Sequence, residues 1–349
     1  MWTQLGLYTM AVLGGWLFHS IHFPLPWILG PLSVLLTVKA WKKKQPKLPS
    51  LFRNTAYVAL GCHFGLSLSL GTFQKTAPLL LPYMACLLLL IAAAAGMGAV
   101  LARMMREKPI TGVLGAVPGG LAEMVAASEN LKANTSQIAL MHTVRLLAVV
   151  FTVPSVISWW FVADFQGVHS QTAAVDGAWY TILGYVIAGL LGWLMNRWLP
   201  VAFIIVPMLV VAAGGAVGID WLVLPEQIIF ASQLVIGIHL TRTTSIEDIV
   251  KGAKYLGWYI LLSLLVIAAS FGLGILFSYM THIPVQTAIL CFAPGGLPEM
   301  VITGTAVGGD PELITAFQFV RLLTIIIGVP LGLKWLQHRG MVRGEVTAS

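Results

Sequence analysis

The chain has 349 residues, 58% of them apolar and 9% charged, against roughly 25% charge in soluble domains. Its net charge of +7 comes from Lys and Arg at the ends of apolar stretches, a pattern that sets membrane orientation and argues against direct nucleic-acid binding. The three cysteines, Cys62, Cys86 and Cys291, are scattered in apolar segments, which excludes a disulfide scaffold and leaves an all-α polytopic protein of the lipid bilayer as the expectation.

The first apolar segment, about 4–20, has no basic leader and no small-residue cleavage site, so a retained helix is predicted instead of a signal peptide. Segments follow at about 26–38, 54–73 and 77–102. Within the last, Leu79 to Leu101 carries no ionisable group, enough chain to cross a ~30 Å hydrocarbon core. The fifth segment, about 111–127, is short, contains Glu123 and is interrupted by Pro118-Gly119-Gly120; proline removes a donor and glycine loosens the backbone. A sixth, about 136–160, follows Asn134 as N-cap. After a polar stretch from Phe161 to Asp176 come six more, at about 178–196, 201–218, 226–241, 255–279, 287–304 and 314–333. The eleventh again holds Pro294-Gly295-Gly296 and Glu299, and the twelfth opens with Asp310 as N-cap and Pro311 at the first helical position.

The second series is a copy of the first. Pro118–Val125 matches Pro294–Val301 at seven of eight positions, an offset of 176 residues. At that same offset Val144-Arg145-Leu146-Leu147 returns as Val320-Arg321-Leu322-Leu323, Gly61 and His63 as Gly237 and His239, Pro154 as Pro330, and Pro24 and Pro31 as Pro200 and Pro207. Residues 1–165 and 175–335 are thus two membrane repeats, followed by a short tail, 336–349.

Two threadings are open. If all segments cross, twelve of the eighteen loop Lys and Arg fall on the cytoplasmic side; if the fifth segment of each copy is re-entrant, seventeen do and only Lys75 lies outside. The second is preferred. It gives five transmembrane helices plus one broken segment per copy, both termini in the cytoplasm, and, because five is odd, inverted repeats whose breaks enter from opposite faces. That is the architecture of many secondary transporters.

Ionisable residues at membrane depth mark function by default. Arg145 and Arg321 lie two to three turns into the sixth segment of each copy, and Glu123 and Glu299 just after the breaks. Two readings stand. Each Glu pairs with an Arg to lock break to helix, or all four face a central cavity, with Pro118, Gly119, Gly120, Pro294, Gly295 and Gly296 lending backbone groups and the arginines binding an anion. His63, His142 and His239 could relay protons or simply satisfy contacts between helices. Gly14, Gly15, Gly96 and Gly98 are read as helix-packing residues. No His, Glu and Cys cluster has metal-ligand spacing, and no Gly-rich phosphate loop is present, so no metal, cofactor or enzymatic activity is expected.

The doubled Pro-Gly-Gly-Leu-x-Glu-Met unit resembles the AbrB-duplication family of bacterial inner-membrane proteins, over nearly the whole chain. Members carry labels as regulators of gene expression and as ammonia monooxygenases, and the family looks related to cation–proton antiporters and anion transporters with inverted repeats. The resemblance implies the bacterial cytoplasmic membrane. Together with the residues it gives the expected function: a secondary active transporter of a small anionic solute, with H+ or Na+ as coupling ion and homo-oligomers compatible with the fold. The alternative is a membrane-embedded sensor that influences gene expression through a partner.

Overall fold

A computed structural model describes residues 2–21, 23–68, 70–119, 124, 128, 131, 133–161, 181–199 and 201–338. Gly120, Glu123, His22, Pro200, the stretch 162–180 and the tail beyond 338 lie outside the described residues. Every regular element among those described is helical, as a chain in hydrocarbon requires if its backbone groups are to be satisfied internally.

The helices are α1 (Trp2–Ser20), α2 (Pro26–Lys42), α3 (Ser50–Leu66), α4 (Leu70–Thr76), α5 (Leu80–Met104), α6 (Pro109–Ala116), α7 (Thr135–Phe161), α8 (Thr181–Met195), α9 (Ala202–Ala216), α10 (Glu226–Thr243), α11 (Ile246–Lys251), α12 (Ala253–Thr281), α13 (Val285–Phe292), α14 (Leu297–Ala306) and α15 (Pro311–His338). Among the described residues three helices are long and apolar enough to cross a membrane: the run Gln74–Met104 that includes α5, then α7 and α12. The apolar α8 and α9 are shorter, at 15 residues each.

The predicted third segment, 54–73, is two helices. α3 stops at Leu66 and α4 restarts at Leu70, and the amides of Ser67 and Leu68 close the end of α3 on the Phe64 and Gly65 carbonyls at 3.1 Å each. The second copy breaks likewise after Thr243, and Ser245 caps α11 by accepting from the Asp248 amide at 3.2 Å. The starts of the sixth segments follow the sequence. Asn134 accepts from the Gln137 amide at 3.3 Å, and Asp310 from the Glu312 and Leu313 amides at 2.9 and 3.2 Å.

In space the repeats interleave. α2 packs on α10 and α9 on α3; α1, α3, α8 and α10 complete this first bundle. The second holds α5, α6, α7, α12, α13, α14 and α15, with α5 against α12, α6 on α7 and α13 on α15. Contacts recur at the 176-residue offset with partners exchanged. A Cβ on Gly61 would strike the carbonyl oxygen of Ile204, and one on Gly237 would come within 2.5 Å of the Ile28 carbonyl oxygen, so the backbones meet where only glycine fits.

Direction is fixed at one end of the first bundle. Lys39, near the C-terminus of α2, donates to the Thr241 and Thr244 carbonyls at 2.9 and 2.6 Å, capping the C-terminus of α10. Arg242 donates to the Leu48 carbonyl at 2.5 Å, two residues before α3. Hence α3 begins where its counterpart α10 ends. The second bundle centres on Tyr83, Phe277, Phe292 and Phe317, whose rings lie 4.4–5.9 Å apart.

Candidate functional site

Both breaks arise the same way. Val117 and Ala293 each precede a proline, which pushes them out of the helical region; their ψ is 128° in both cases. Helices α6 and α13 end there. The amides of Gly119 and Gly295 then reach back to the carbonyls of Val117 and Ala293, 2.8 Å in each copy, closing a three-residue turn around the proline. These turns leave buried carbonyls that need further donors.

The deep arginines supply them. Arg145 on α7 donates to the carbonyls of Val117 at 2.8 Å and Gly119 at 3.3 Å. Arg321 on α15 donates to those of Ala293 and Gly295, the latter at 2.6 Å. Arg145 and Arg321 are 8% and 7% exposed, so this is charge-assisted bonding in a water-poor place. Arginine does lock break to helix through carbonyls, and in the second copy no hydrogen bond joins Arg321 to Glu299; Glu123, its counterpart in the first, lies outside the described residues. The sequence could not show this, because a backbone acceptor leaves no mark in residue identity.

His142 spends both ring nitrogens. Nε2 donates to the Leu114 carbonyl at 2.9 Å, and Nδ1 accepts from Arg145 at 2.9 Å, which assigns the neutral Nε2–H tautomer. Gln318, its counterpart, donates to the Leu290 carbonyl at 2.5 Å. Imidazole and amide therefore do one job, a donor to the end of the half-helix. His63 and His239 part company: His63 lies off the cavity with Nδ1 buried and unpartnered, while His239 lines it with its ring edge-on to Tyr57 at 6.1 Å.

Between the two bundles lies a cavity of about 550 Å³, within the range of small-molecule sites. Pro118, Gly119, Pro294, Gly295, Gly296, His142, His239, Arg145, Arg321 and Glu299 all line it; Gly120 and Glu123 are outside the described residues. Sequence reasoning missed the rest of the polar lining: Arg53, Asn54 and Tyr57 on α3, Thr143 on α7, Asn196 after α8, Thr243 at the end of α10, and Gln318 on α15. The usable signal was Arg53-Asn54-x-x-Tyr57, a polar helix face at i, i+1 and i+4 whose counterparts are Ile229, Phe230 and Gln233.

The lining is one-sided. Asn54 and Phe203 border the cavity, whereas their counterparts Phe230 and Trp27 stack on each other at 5.9 Å, outside it. The cavity reaches exposed residues at Asn196, Val201 and Thr243, the same end at which Lys39 and Arg242 tie α2, α3 and α10 together. Among the described residues no three of His, Cys, Asp and Glu are grouped to hold a metal ion.

The family model described as "Transition state regulatory protein AbrB" matches residues 1–75 and 27–337. The chain belongs to the AbrB family. Within that family it is 27% identical over 332 residues, covering 90% of each chain, to a protein of Escherichia coli (strain K12) named as a candidate regulator AbrB. It is 24% identical over 355 residues to YhjN of Bacillus subtilis (strain 168), an uncharacterized protein, covering 94% of this chain and 92% of the relative. The two breaks, their arginines and the cavity between them are what this AbrB-family chain offers as a site.

Proposed function

We propose that the protein is a secondary active transporter of a small anionic solute, bound between its two broken segments in the bacterial cytoplasmic membrane. The observation that carries this reading is the cavity itself. Both breaks border it, three guanidinium groups line it, and Glu299 is the one acidic side chain among its described lining residues. A site of that balance favours anions. Irregular backbone at membrane depth is tolerated where it lines a cavity.

We read the two copies as inverted. The start of α3 beside the end of α10 supports this, since counterpart helices then run in opposite directions. So does the one-sided lining, because an axis in the membrane plane exchanges an open end for a closed one. On this reading the arginines of the breaks shape the site and Arg53 meets the solute first.

The test is thermal stabilisation of the purified full-length protein by a panel of small carboxylic acids. Stabilisation by at least one acid is expected, and its apparent affinity should fall about tenfold or more in Arg53→Gln, the scale of a lost charge-assisted contact. A panel that leaves wild type untouched would sink the proposal. The name of the Escherichia coli relative favours a second reading, a solute sensor acting on a partner. Deleting residues 340–349 should leave solute flux intact in a transporter and impair signalling in a sensor.

A further inference from the structure

Glu299 is the part of the cavity that anion binding leaves unused. It is 4% exposed, and Oε2 is buried without a hydrogen-bond partner. It sits in the first turn of α14, folded over the α-carbon of Gly296, where any Cβ would overlap Oε2. The second glycine of the break therefore makes room for the carboxyl. No hydrogen bond joins it to the adjacent guanidinium: Arg321 aims its terminal nitrogens at the carbonyls of Ala293 and Gly295, and its Nε has no partner. A carboxylate buried with a bare oxygen is costly, and a proton on that oxygen removes the charge.

We propose that Glu299 is the ion-coupling group of this cavity and that the ion it carries is a proton, not Na+. The proposal rests on the transporter reading for its purpose, though not for its chemistry. A sodium ion needs several oxygens converging on one point, usually carbonyls of unwound backbone. Here the carbonyls of Ala293 and Gly295 already accept from Arg321, and that of Gly296 accepts from the Met300 amide at 3.1 Å. A proton needs one oxygen, and Oε2 is that oxygen. Binding is O–H formation on the carboxylate with the proton taken from water in the cavity, and release returns it there. The charged and titratable groups that share the cavity with it are Arg321 on α15, Arg145 and His142 on α7, Arg53 and Tyr57 on α3, and His239 on α10. Of these, the guanidiniums keep their charge, His142 has both nitrogens engaged, and His239 and Tyr57 pack edge-on against each other, whereas Glu299 alone holds a bare carboxyl oxygen against the break.

The proposal can be tested with protons and sodium chloride alone. Infrared difference spectra of the full-length protein in lipid, recorded as pH is stepped, should show a protonated-carboxyl band that titrates in wild type and is lost in Glu299→Gln. Exchange of NaCl for choline chloride should leave that band and the melting temperature unchanged. Should Glu299→Gln not fold, Gly296→Ala provides the second arm, expected to displace the carboxyl and shift the band's frequency and midpoint. A titrating band that survives both variants unchanged, or a sodium-dependent melting shift lost in Glu299→Gln, overturns the proposal. Because no solute is used, a titrating Glu299 with no stabilising acid would leave the proton site standing while the transporter reading failed.

Discussion

At the scale of the residue, the deepest charges hold the backbone in shape. Arg321 satisfies two carbonyls freed by the Pro294 break, so Arg321→Ala should cost on the order of 3 kcal/mol, the sum of lost charge-assisted bonds and stranded acceptors. Denaturant unfolding in detergent measures it. Arg321→Lys should recover only part of the loss, since an ammonium lacks the planar fork that reaches both oxygens. His142→Gln offers the opposite expectation. Gln318 already does the equivalent work in the second copy, so the melting temperature and the pH profile of ligand stabilisation should both stay at wild-type values. A collapsed pH profile with an unchanged melting point would make His142 a proton carrier after all. Residue identity made these positions visible, because an ionisable group deep in an apolar helix is conspicuous; it could not say that their partners are carbonyls.

At the scale of the element, the breaks were readable because Pro and Gly act through local sterics. The backbone turns at Val117 and Ala293, the residue before each proline being forced extended, a steric effect beyond the missing donor and loose glycines that the sequence suggested. The split after α3 was not readable, since Ser67 to Ser69 lies inside an apolar window that hydropathy treats as continuous. Close packing of elements was legible in part. Gly98 does face backbone, with the Gly112 carbonyl too near for any Cβ, but Gly96 faces open space. Gly61→Ala and Gly237→Ala should therefore each destabilise the first bundle by about 1–3 kcal/mol through overpacking. Gly96→Ala should be neutral or stabilise by up to about 1 kcal/mol, from helix propensity. Unfolding midpoints of the three variants compare them directly.

At the scale of the whole molecule, the cavity lies between bundles that neither repeat forms alone. Asn54 borders the cavity while its counterpart Phe230 stacks on Trp27. If the repeats are inverted, single cysteines at these two positions, in a background lacking Cys62, Cys86 and Cys291, should label from opposite sides of the membrane. Asn54→Cys should react from the cytoplasmic side, and Phe230→Cys should react faster once Trp27→Ala removes the stack. Labelling of both from one side would leave parallel copies as the arrangement. A second asymmetry separates the two halves. The Tyr83 hydroxyl bonds the Phe317 carbonyl at 2.8 Å, yet its counterpart Tyr259 has a buried hydroxyl with no partner.

The sequence by itself determined what is local or periodic: apolar helices in series, a unit repeated after 176 residues, a Pro-Gly-Gly break in each copy and an arginine two to three turns into the following helix. Composition, steric rules and offset act along the chain, so they survive in one dimension. Tertiary structure alone decided that the copies interleave, that the arginines grip carbonyls, that Arg53-Asn54-Tyr57 joins the site, and that Glu299 faces the cavity with a bare oxygen. Each of these depends on a backbone acceptor or on the approach of distant helices, and neither leaves a trace in the order of side chains.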